Sequence, residues 1–525
     1  MSKRKTIAIL LTASLALGGC AGNSSPKETL YTEWNAESFM SELEESMSAE
    51  QEALEASYKT SINEQKVNTT ETEPYYEVET TTEIQPEEDT DEYIGEESDE
   101  MFTYDVYEKH VEVKKVIGKV GRELTIPDEY NGVPVTIIGE SACDSNGSLT
   151  KLVIGANVEE IGYSAFSNDE MLLSVESKAP EKLKRIGNNA FINCEMLSVF
   201  PVILPNLENI GISAFEKTSI KEFTVPTGVK IIAERSFLGC KKLKNLIIEE
   251  GVEEIEYLAF ADSGISSIVI PDSVTYIKSG LNKSPFLGCD DLKEITVGSG
   301  IKEFELCLFA GRVLGSIYYT NIEKITLSEG LEVIGSGVFE YCNKLKEIEI
   351  PKSVKSISAD STVSRGFGTF EHCESLETVI LNEGLETIGE DAFNNCASLK
   401  SIDIPNTVTS LGDHAFEYCG SLTEVTVPGS VAVIEGGTFG YCDSLKKVTF
   451  NDGVLKLNGY IFSALDRYES ITDVILPDSL VYADESSLWV ANRNGHAVQA
   501  NMKVTYKGKQ YTYEQKDELL SLING

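Results

Sequence analysis

The sequence predicts a β-rich repeat solenoid of about 14 coils, each of ~23 residues, and two regularities lead to this prediction. Phe393 and Phe416 lie 23 residues apart, and the same interval separates Cys396, Cys419 and Cys442. A period of 20–30 residues is typical of architectures in which a coil buries its apolar face only against neighbouring coils. Residues that recur at this period are expected to pack, so function is to be sought where the period breaks.

One copy of the repeat, residues 376–396, predicts the elements of each coil. The spacing L-x-x-L-x-L, which ends at Leu381, predicts a short strand. Alternation along that strand directs Val379 and Leu381 inward and Thr378 and Ile380 outward, so that neighbouring coils build a parallel sheet face. In other copies a proline ends the strand, because proline cannot donate to a ladder. A short helical or 3₁₀ turn is expected where Phe393 plugs the coil.

The Phe position recurs along most of the chain, and two intervals between copies are longer than the rest. Cys143 occupies the slot in an earlier copy. The later copies are Phe166, Phe191, Phe215, Phe237, Phe260, Phe286, Phe309, Phe339, Phe370, Phe393, Phe416, Phe439 and Phe462. Gly311–Thr320 and Ser358–Gly368 are interpreted as insertions that leave the stack on one edge.

The repeat resembles the BspA-type, or Treponema pallidum-type, leucine-rich repeat family of bacterial surface proteins. Its consensus is matched by Ile404-Pro405, Val408, Leu411-Gly412, Ala415-Phe416, Cys419 and Leu422. The resemblance covers residues 123–484 and implies a leucine-rich repeat solenoid over residues 106–485. It is specific for fold and much less so for function, since the family includes adhesins and proteins with no assigned role.

Residues 1–20 predict a lipoprotein signal peptide. Basic residues 3–5 precede an apolar run over residues 7–17 that is too short to span a bilayer. Leu17, Gly18 and Gly19 form the expected cleavage site directly before Cys20. By resemblance to bacterial lipoproteins, Cys20 would carry the lipid, and the protein would be extracytoplasmic and anchored to the cell membrane at the cell surface. Ordinary signal cleavage, with Cys20 left as a thiol, is the alternative.

Residues 21–105 predict an acidic and mostly disordered stalk. This segment holds 25 acidic residues, 3 lysines and no arginine, more than half of the net charge of −41. Such a composition does not support a packed core, and like charges extend the chain. A helix is possible over residues 35–58. An arm that binds a basic partner and an O-glycosylated tether are the alternatives. The strongly acidic chain argues against nucleic acid as a partner.

Residues 486–525 lie outside the repeat and predict a C-terminal cap. Two short β segments flank Lys507-Gly508-Lys509 and predict a hairpin, which residues 514–523 would follow as a short helix. An open end of a solenoid must be covered, so capping is the expected role. A small partner-binding module is the alternative.

The sequence offers little support for catalysis, a cofactor or a metal site. Its four histidines, His110, His372, His414 and His496, have no metal-ligand spacing. We therefore expect no enzyme activity and no cofactor. Eight cysteines occupy one repeat slot, where neighbouring side chains run parallel rather than toward one another. Buried thiols are the favoured interpretation, with disulfides and metal ligation as alternatives.

The candidate binding residues lie where packing does not explain them. Tyr318 and Tyr319 belong to an insertion that no coil requires. The outward strand positions form a flat surface, of which we select Thr378, Ile380, Ser401, Asp403, Glu424 and Thr426. The predicted function is adhesin-like binding of an extracellular protein or glycan by a monomer. A structural envelope lipoprotein that contacts wall polymer or a secretion partner is the alternative, and an enzyme is a remote one.

Overall fold

The repeats fold as a β-solenoid of about 14 turns with parallel sheets and little helix, which confirms the predicted fold class. The computed structural model describes residues 91–310, 312–313, 316–317, 320–357, 367–462, 471–489 and 502–525. These residues belong to one unit, Thr90–Gly525. The predicted signal peptide at residues 1–20, the helix at 35–58 and the stalk as far as residue 90 lie outside the described residues.

The first strand of each coil belongs to a surface that we call the face sheet. Inward and outward side chains alternate along it, as in Thr378–Ile380, where Val379 is buried and its two neighbours are exposed. The face strands are Glu123–Thr125, Lys151–Ile154, Ser174–Ser177, Glu222–Val225, Asn245–Ile248, Ser267–Ile270, Glu294–Val297, Lys324–Leu327, Glu347–Glu349, Thr378–Ile380, Glu424–Val427, Lys447–Phe450 and Asp473–Ile475.

The second strand of each coil builds a narrower parallel surface, the back sheet. Most of its strands have two residues, of which the second is buried. They are Val133–Ile138, Glu160–Ile161, Arg185–Ile186, Asn209–Ile210, Ile231–Ile232, Glu254–Ile255, Tyr276–Ile277, Glu303–Phe304, Val333–Ile334, Ser356–Ile357, Thr387–Ile388, Ser410–Leu411, Val433–Ile434, Lys456–Leu457 and Tyr482–Ala483.

The third edge of each coil is a series of turns that carries the repeated phenylalanine, and we call it the plug edge. Backbone bonds from residue i+3 to residue i close these turns, as from Cys396 to Phe393 at 3.2 Å. Asp391 and Asn395 have positive φ angles of 54° and 58°, which interrupt any regular helix. The phenylalanine rings stack from coil to coil in the interior, with Phe393 fully buried.

The N-terminal end corrects the predicted domain boundary. Tyr93–Ser98, Phe102–Tyr107 and Val111–Val116 form an antiparallel meander, and the last of these strands pairs in parallel with Val133–Ile138. The prediction that the disordered stalk extends to Asp105, and that the solenoid begins at residue 106, is wrong for this segment. Phe102 and Tyr104 are buried and alternate with polar residues, a short signal that the surrounding acidic composition obscured. A second hairpin pairs Glu129–Tyr130 with Val133 and Pro134.

The C-terminal end has a hairpin and a short helix within the region that the sequence assigns to the cap. Lys503–Tyr506 pairs in parallel with Asp473–Ile475 and antiparallel with Lys509–Tyr511, so the hairpin extends the face sheet. Helix Lys516–Asn524 buries Leu519 and Ile523. The remaining helices are Pro180–Lys182, Glu485–Leu488 and Tyr513–Gln515. None of the helices in the described ranges combines the length and apolar character needed to cross a membrane.

Candidate functional site: the face sheet and its breaks

The face sheet is divided into separate blocks of paired strands. Each block is a ladder of parallel neighbours, and pairing stops between one block and the next. The blocks begin at Glu123–Thr125, Glu222–Val225, Ser267–Ile270, Glu347–Glu349 and Glu424–Val427. A continuous ladder is the expectation from the period, so these breaks are features that sequence reasoning missed.

Prolines explain the position of the breaks. In a paired coil, the residue after the face strand donates its N–H to the last strand carbonyl of the preceding coil. Gly298 N donates to Ile270 O at 2.9 Å in this way, and Asn451 N donates to Val427 O at 3.0 Å. Proline has no N–H, so a coil with proline at this position cannot make the bond.

Five prolines occupy this donor position, and the ladder is interrupted on the N-terminal side of each. They are Pro226, Pro271, Pro351, Pro405 and Pro428. Pro477 is an exception, because Asp473–Ile475 still pairs with the preceding coil through three residues. These prolines are visible in the sequence, where each marks the end of the strand in its own coil. The hydrogen bond that is lost, however, is the one to the preceding coil, and for this reason the breaks were not predicted.

The first groove on the face sheet, the Pro351 groove, lies at the break between Lys324–Leu327 and Glu347–Glu349. It has a volume of about 410 Å³. Its lining includes the predicted residues Thr378 and Ile380, together with Thr326, Glu347 and Glu349. Ile380 is 48% exposed, as expected for an outward position, and Ile247 and Val269 are exposed in the same way on other face strands. The groove therefore offers carboxylates, hydroxyls, the Lys324 ammonium group and several apolar side chains, of which Ile380 is the exposed one.

The second groove, the Pro428 groove, lies beside residues 401–404 and has a volume of about 400 Å³. Its lining contains the predicted residues Ser401, Asp403, Glu424 and Thr426. The structure thus divides the six candidate strand residues between two grooves on one face. Their role in binding stays a prediction. Asn406 and Asn451 also line this groove, and sequence reasoning did not select them.

Residues 401–404 form no strand, and their coil is held loosely at its edges. Lys400 N lies 3.4 Å from Glu377 O, and Thr423 N lies 3.4 Å from Lys400 O. The equivalent bond one coil later, from Lys446 N to Thr423 O, measures 2.8 Å. Within the described residues, no backbone hydrogen bond joins residues 401–404 to either neighbouring coil. The peptide groups of this stretch therefore have no ladder partners in the described residues.

The repeated cysteines lie inside the plug edge. All ten cysteines of the described residues are free and buried. The eight thiols of the repeat slot donate to phenylalanine carbonyls of the preceding coil, as from Cys373 Sγ to Phe339 O at 3.1 Å. Burial raises the pKa of Cys240, and likewise that of Cys442, to about 12, so these thiols stay protonated and unreactive at neutral pH.

Asp169 occupies the cysteine slot of its coil and is an exception within the interior. Its side chain is fully buried, and its Oδ1 accepts a hydrogen bond from Asn146 N. Oδ2 has no hydrogen-bond partner. Burial raises the pKa of Asp169 to about 8, against this one backbone bond. The carboxyl group is therefore largely protonated at neutral pH.

The aromatic residues of the plug edge face one another. Tyr341 stacks on His372 with ring centroids 4.5 Å apart, and Tyr418 stacks on Tyr441 at the same distance. Each stack covers one face of each ring, and Tyr418 remains 42% exposed. His414 is half-buried, and its Nδ1 lies 3.2 Å from Glu417 Oε2, a carboxylate that raises the pKa of His414.

The structure does not describe the candidate residues of the inserted stretch or those of the N-terminus. Arg312–Val313 and Ser316–Ile317 form a small antiparallel ladder. Tyr318 and Tyr319 lie outside the described residues, as do Leu17, Gly18, Gly19 and Cys20. Within the described parts of the chain, no group of three His, Cys, Asp or Glu side chains is placed to hold a metal ion.

The repeat identity follows from comparison with known proteins. A family model described as a BspA type leucine rich repeat region matches residues 136–203, 173–281, 208–318, 314–363 and 363–490, more than half of the chain. The chain belongs to this family. The comparison of this BspA-type chain with curated proteins found no match.

Solved structures of leucine-rich repeat proteins are similar to this BspA-type chain. One from Bacteroides ovatus has 26% identity and a TM-score of 0.48, with 68% of this chain and 95% of that chain covered. A leucine rich cell surface protein from Faecalibacterium prausnitzii has 27% identity and a TM-score of 0.40, with the same coverage. The pneumococcal vaccine antigen PcpA has 17% identity and a TM-score of 0.36, with 82% and 96% covered.

Proposed function

We propose that this BspA-type protein binds an extracellular protein or glycan through the outward side of its face sheet, between Lys324 and Asn451. The leucine-rich repeat is a general protein-binding scaffold and is typically not enzymatic. The observation that carries the proposal is the pair of grooves at the Pro351 and Pro428 breaks. Both grooves are open to solvent, and above their buried floor they are lined by outward polar side chains that the packing of the coils does not require.

The proposal includes an adhesin-like role at the cell surface, with Cys20 lipidated and residues 21–90 as the tether. The support is the basic start, the apolar run and Leu17-Gly18-Gly19 before Cys20. Two acyl chains attach a protein stably to a membrane, whereas one is marginal. We expect metabolic labelling with a fatty acid to mark the full chain but not Cys20→Ala. Equal labelling of both proteins would exclude lipidation at this residue.

The binding experiment uses the full chain against immobilised host matrix proteins, a glycan panel and isolated cell wall. The test variant is Ser401→Arg with Thr426→Arg, which fills the Pro428 groove with two long side chains. The matched control is Thr409→Arg with Ser410→Arg, because these exposed residues lie on the back sheet of the same coil region. We expect the groove variant to lose binding and the control to keep it.

The ligand class that is retained separates the two candidate roles. Retention of host matrix or glycan supports the adhesin-like role, whereas retention of isolated wall alone supports the structural envelope role. Equal binding by the groove variant and the control would place the ligand elsewhere on the protein, and the face-sheet proposal would then be wrong.

A further inference from the structure

The outward strand positions between the two grooves carry negative charges. From Glu347–Glu349 to Glu424–Val427 the outward strand positions carry four carboxylates, on Glu347, Glu349, Asp403 and Glu424. No lysine or arginine occupies an outward strand position in this stretch. The linings contain one basic residue, Lys324 in the Pro351 groove, against three carboxylates in that groove and two in the Pro428 groove, so each groove has a net negative lining.

Some acidic residues beside other face strands are paired with a lysine of a neighbouring coil, whereas the outward Glu222 and Glu294 have no such pair among the described residues. Lys293 Nζ lies 2.8 Å from Glu323 Oε1, and Lys151 Nζ lies 3.0 Å from Glu176 Oε2, so each of these acids is paired with a neighbouring coil. In the described part of the chain, none of the four groove carboxylates has a lysine or arginine nitrogen within 4.0 Å. Their negative charge is left for an external cation.

The linings of the grooves do not support recognition by stacking on aromatic side chains. Neither lining contains a tryptophan, tyrosine or phenylalanine. Sugar rings and aromatic ligands thus find no stacking platform. Besides the Lys324 ammonium group, the grooves offer carboxylate oxygens, hydroxyls, amides and the unpaired peptide groups of residues 401–404. The carboxylates outnumber the single ammonium group, and they suit the ammonium or guanidinium groups of a polypeptide.

The spacing of the grooves sets the length of the occupant. The two breaks are three coil steps apart, and neighbouring strands of a sheet are ~4.8 Å apart, so the grooves lie about 14 Å apart along the face. An extended polypeptide advances ~3.4 Å per residue, so about four residues cover this distance. Side chains four residues apart along such a segment would reach both grooves.

We infer that the Pro351 and Pro428 grooves together dock an extended, cationic segment of a partner polypeptide, with basic side chains about four residues apart. This inference rests on the proposed function and names the chemistry of its partner. Charge complementarity provides most of the attraction and steers association, so binding weakens as salt rises.

The experiment measures binding of a labelled peptide, Lys-Ser-Gly-Ser-Lys with capped ends, to the full chain by fluorescence anisotropy at low and at physiological salt. The test variant is Glu347→Gln, Glu349→Gln, Asp403→Asn and Glu424→Gln. The control is Glu208→Gln, Glu222→Gln, Glu303→Gln and Glu390→Gln, which removes the same number of exposed charges outside the grooves. Both variants carry the same net charge, so the general attraction of an acidic chain for cations cancels.

We expect the groove variant to weaken peptide binding about tenfold or more, and the control to stay within about twofold of the unchanged protein. A peptide with glutamates in place of the lysines should not bind. Equal weakening by both variants, or no binding by the unchanged protein, would overturn the inference. Calorimetric binding of Ca²⁺ alone with the same dependence on the four carboxylates would overturn it too, in favour of a cation site.

The two proposals fail in different ways. If Ser401→Arg with Thr426→Arg abolishes binding of an extracellular ligand while the four neutral substitutions leave that binding unchanged, the proposed function stands and the cationic partner is wrong. A captured neutral glycan whose binding is insensitive to salt would have the same meaning. If neither groove variant affects any ligand, both proposals are wrong.

Discussion

The plug edge is continuous from coil to coil, whereas the face sheet of the same coils is interrupted. Along the plug edge the phenylalanine rings stack without interruption, with centroids 5.3 Å apart between Phe393 and Phe416 and 5.9 Å apart between Phe416 and Phe439. Along the face sheet, Pro405 and Pro428 interrupt the ladder in the same coils. Interior packing therefore holds the stack together, and the outward face is free to depart from the repeat.

The boundary after Ser410–Leu411 shows this most clearly. In the described residues neither sheet pairs across it, because residues 401–404 form no strand and Ser410–Leu411 does not pair with Val433–Ile434. Plug-edge bonds continue across it, with Phe416 N donating to Thr438 O at 3.0 Å and Tyr418 N to Gly440 O at 2.8 Å. Cohesion between these two coils depends on the plug edge and the core.

The largest expected effect follows from removing a ring at this boundary. Phe416→Ala leaves a cavity in a fully buried column and should lower the free energy of unfolding by about 3–5 kcal/mol. Urea unfolding followed by circular dichroism measures the change. The control is Tyr482→Ala, an exposed aromatic residue on the back sheet that should cost much less. Similar costs for both variants would contradict the dominance of the plug edge.

An intermediate effect concerns Asp169, a buried carboxyl group in the cysteine slot of its coil. Asp169 has a pKa of about 8 in the folded protein, above its ordinary value of 3.8, chiefly because of burial. Between these two pH values the folded state holds a proton that the unfolded state has lost, so its stability falls as pH rises from about 4 to about 8. Asp169→Cys restores the repeat residue and should remove this dependence.

The measurement is the difference in free energy of unfolding between pH 5 and pH 9 for both proteins. Each unit of pKa shift corresponds to ~1.4 kcal/mol, so we expect the Cys variant to gain a few kcal/mol over the unchanged protein at pH 9. Asp169→Asn serves as the control for loss of the charge without restoring the thiol. Parallel pH profiles for all three proteins would show that Asp169 does not titrate in this range.

The smallest effect on stability is expected on the face sheet. Pro428→Asn supplies an N–H that can donate to Ile404 O, as Asn451 N donates to Val427 O one coil later. The gain of ~1 kcal/mol from a hydrogen bond is offset by the ~0.4–1 kcal/mol that proline contributes by restricting the unfolded chain. Stability should change by less than ~1 kcal/mol, while hydrogen exchange near residues 401–404 slows and the groove narrows.

Pro477→Asn is the matched control, because the strand before Pro477 already pairs with the preceding coil. It should leave hydrogen exchange around Asp473–Ile475 nearly unchanged. Faster exchange in Pro428→Asn, or equal slowing in both variants, would contradict the assignment of the breaks to proline.

Much of this molecule could be predicted because its signals are local and repeated. Leu381 and its partners define a strand within one coil, Phe393 and Cys396 define the plug, and the 23-residue interval stacks them. The N-terminal meander was missed because Phe102, Tyr104 and Val106 form a single short alternation among acidic residues. This alternation occurs once in the chain, so no repeat of it supported the assignment of a strand.

The sequence by itself determined the solenoid, its buried columns and the outward direction of Thr378, Ser401, Asp403 and Glu424. Only the tertiary structure decided that these residues line two grooves rather than one even face. The physical reason is that a ladder bond needs a donor in one coil and an acceptor in the coil before it. Pro428 and Ile404 are 24 residues apart in the chain, and their mismatch exists only when the coils are stacked.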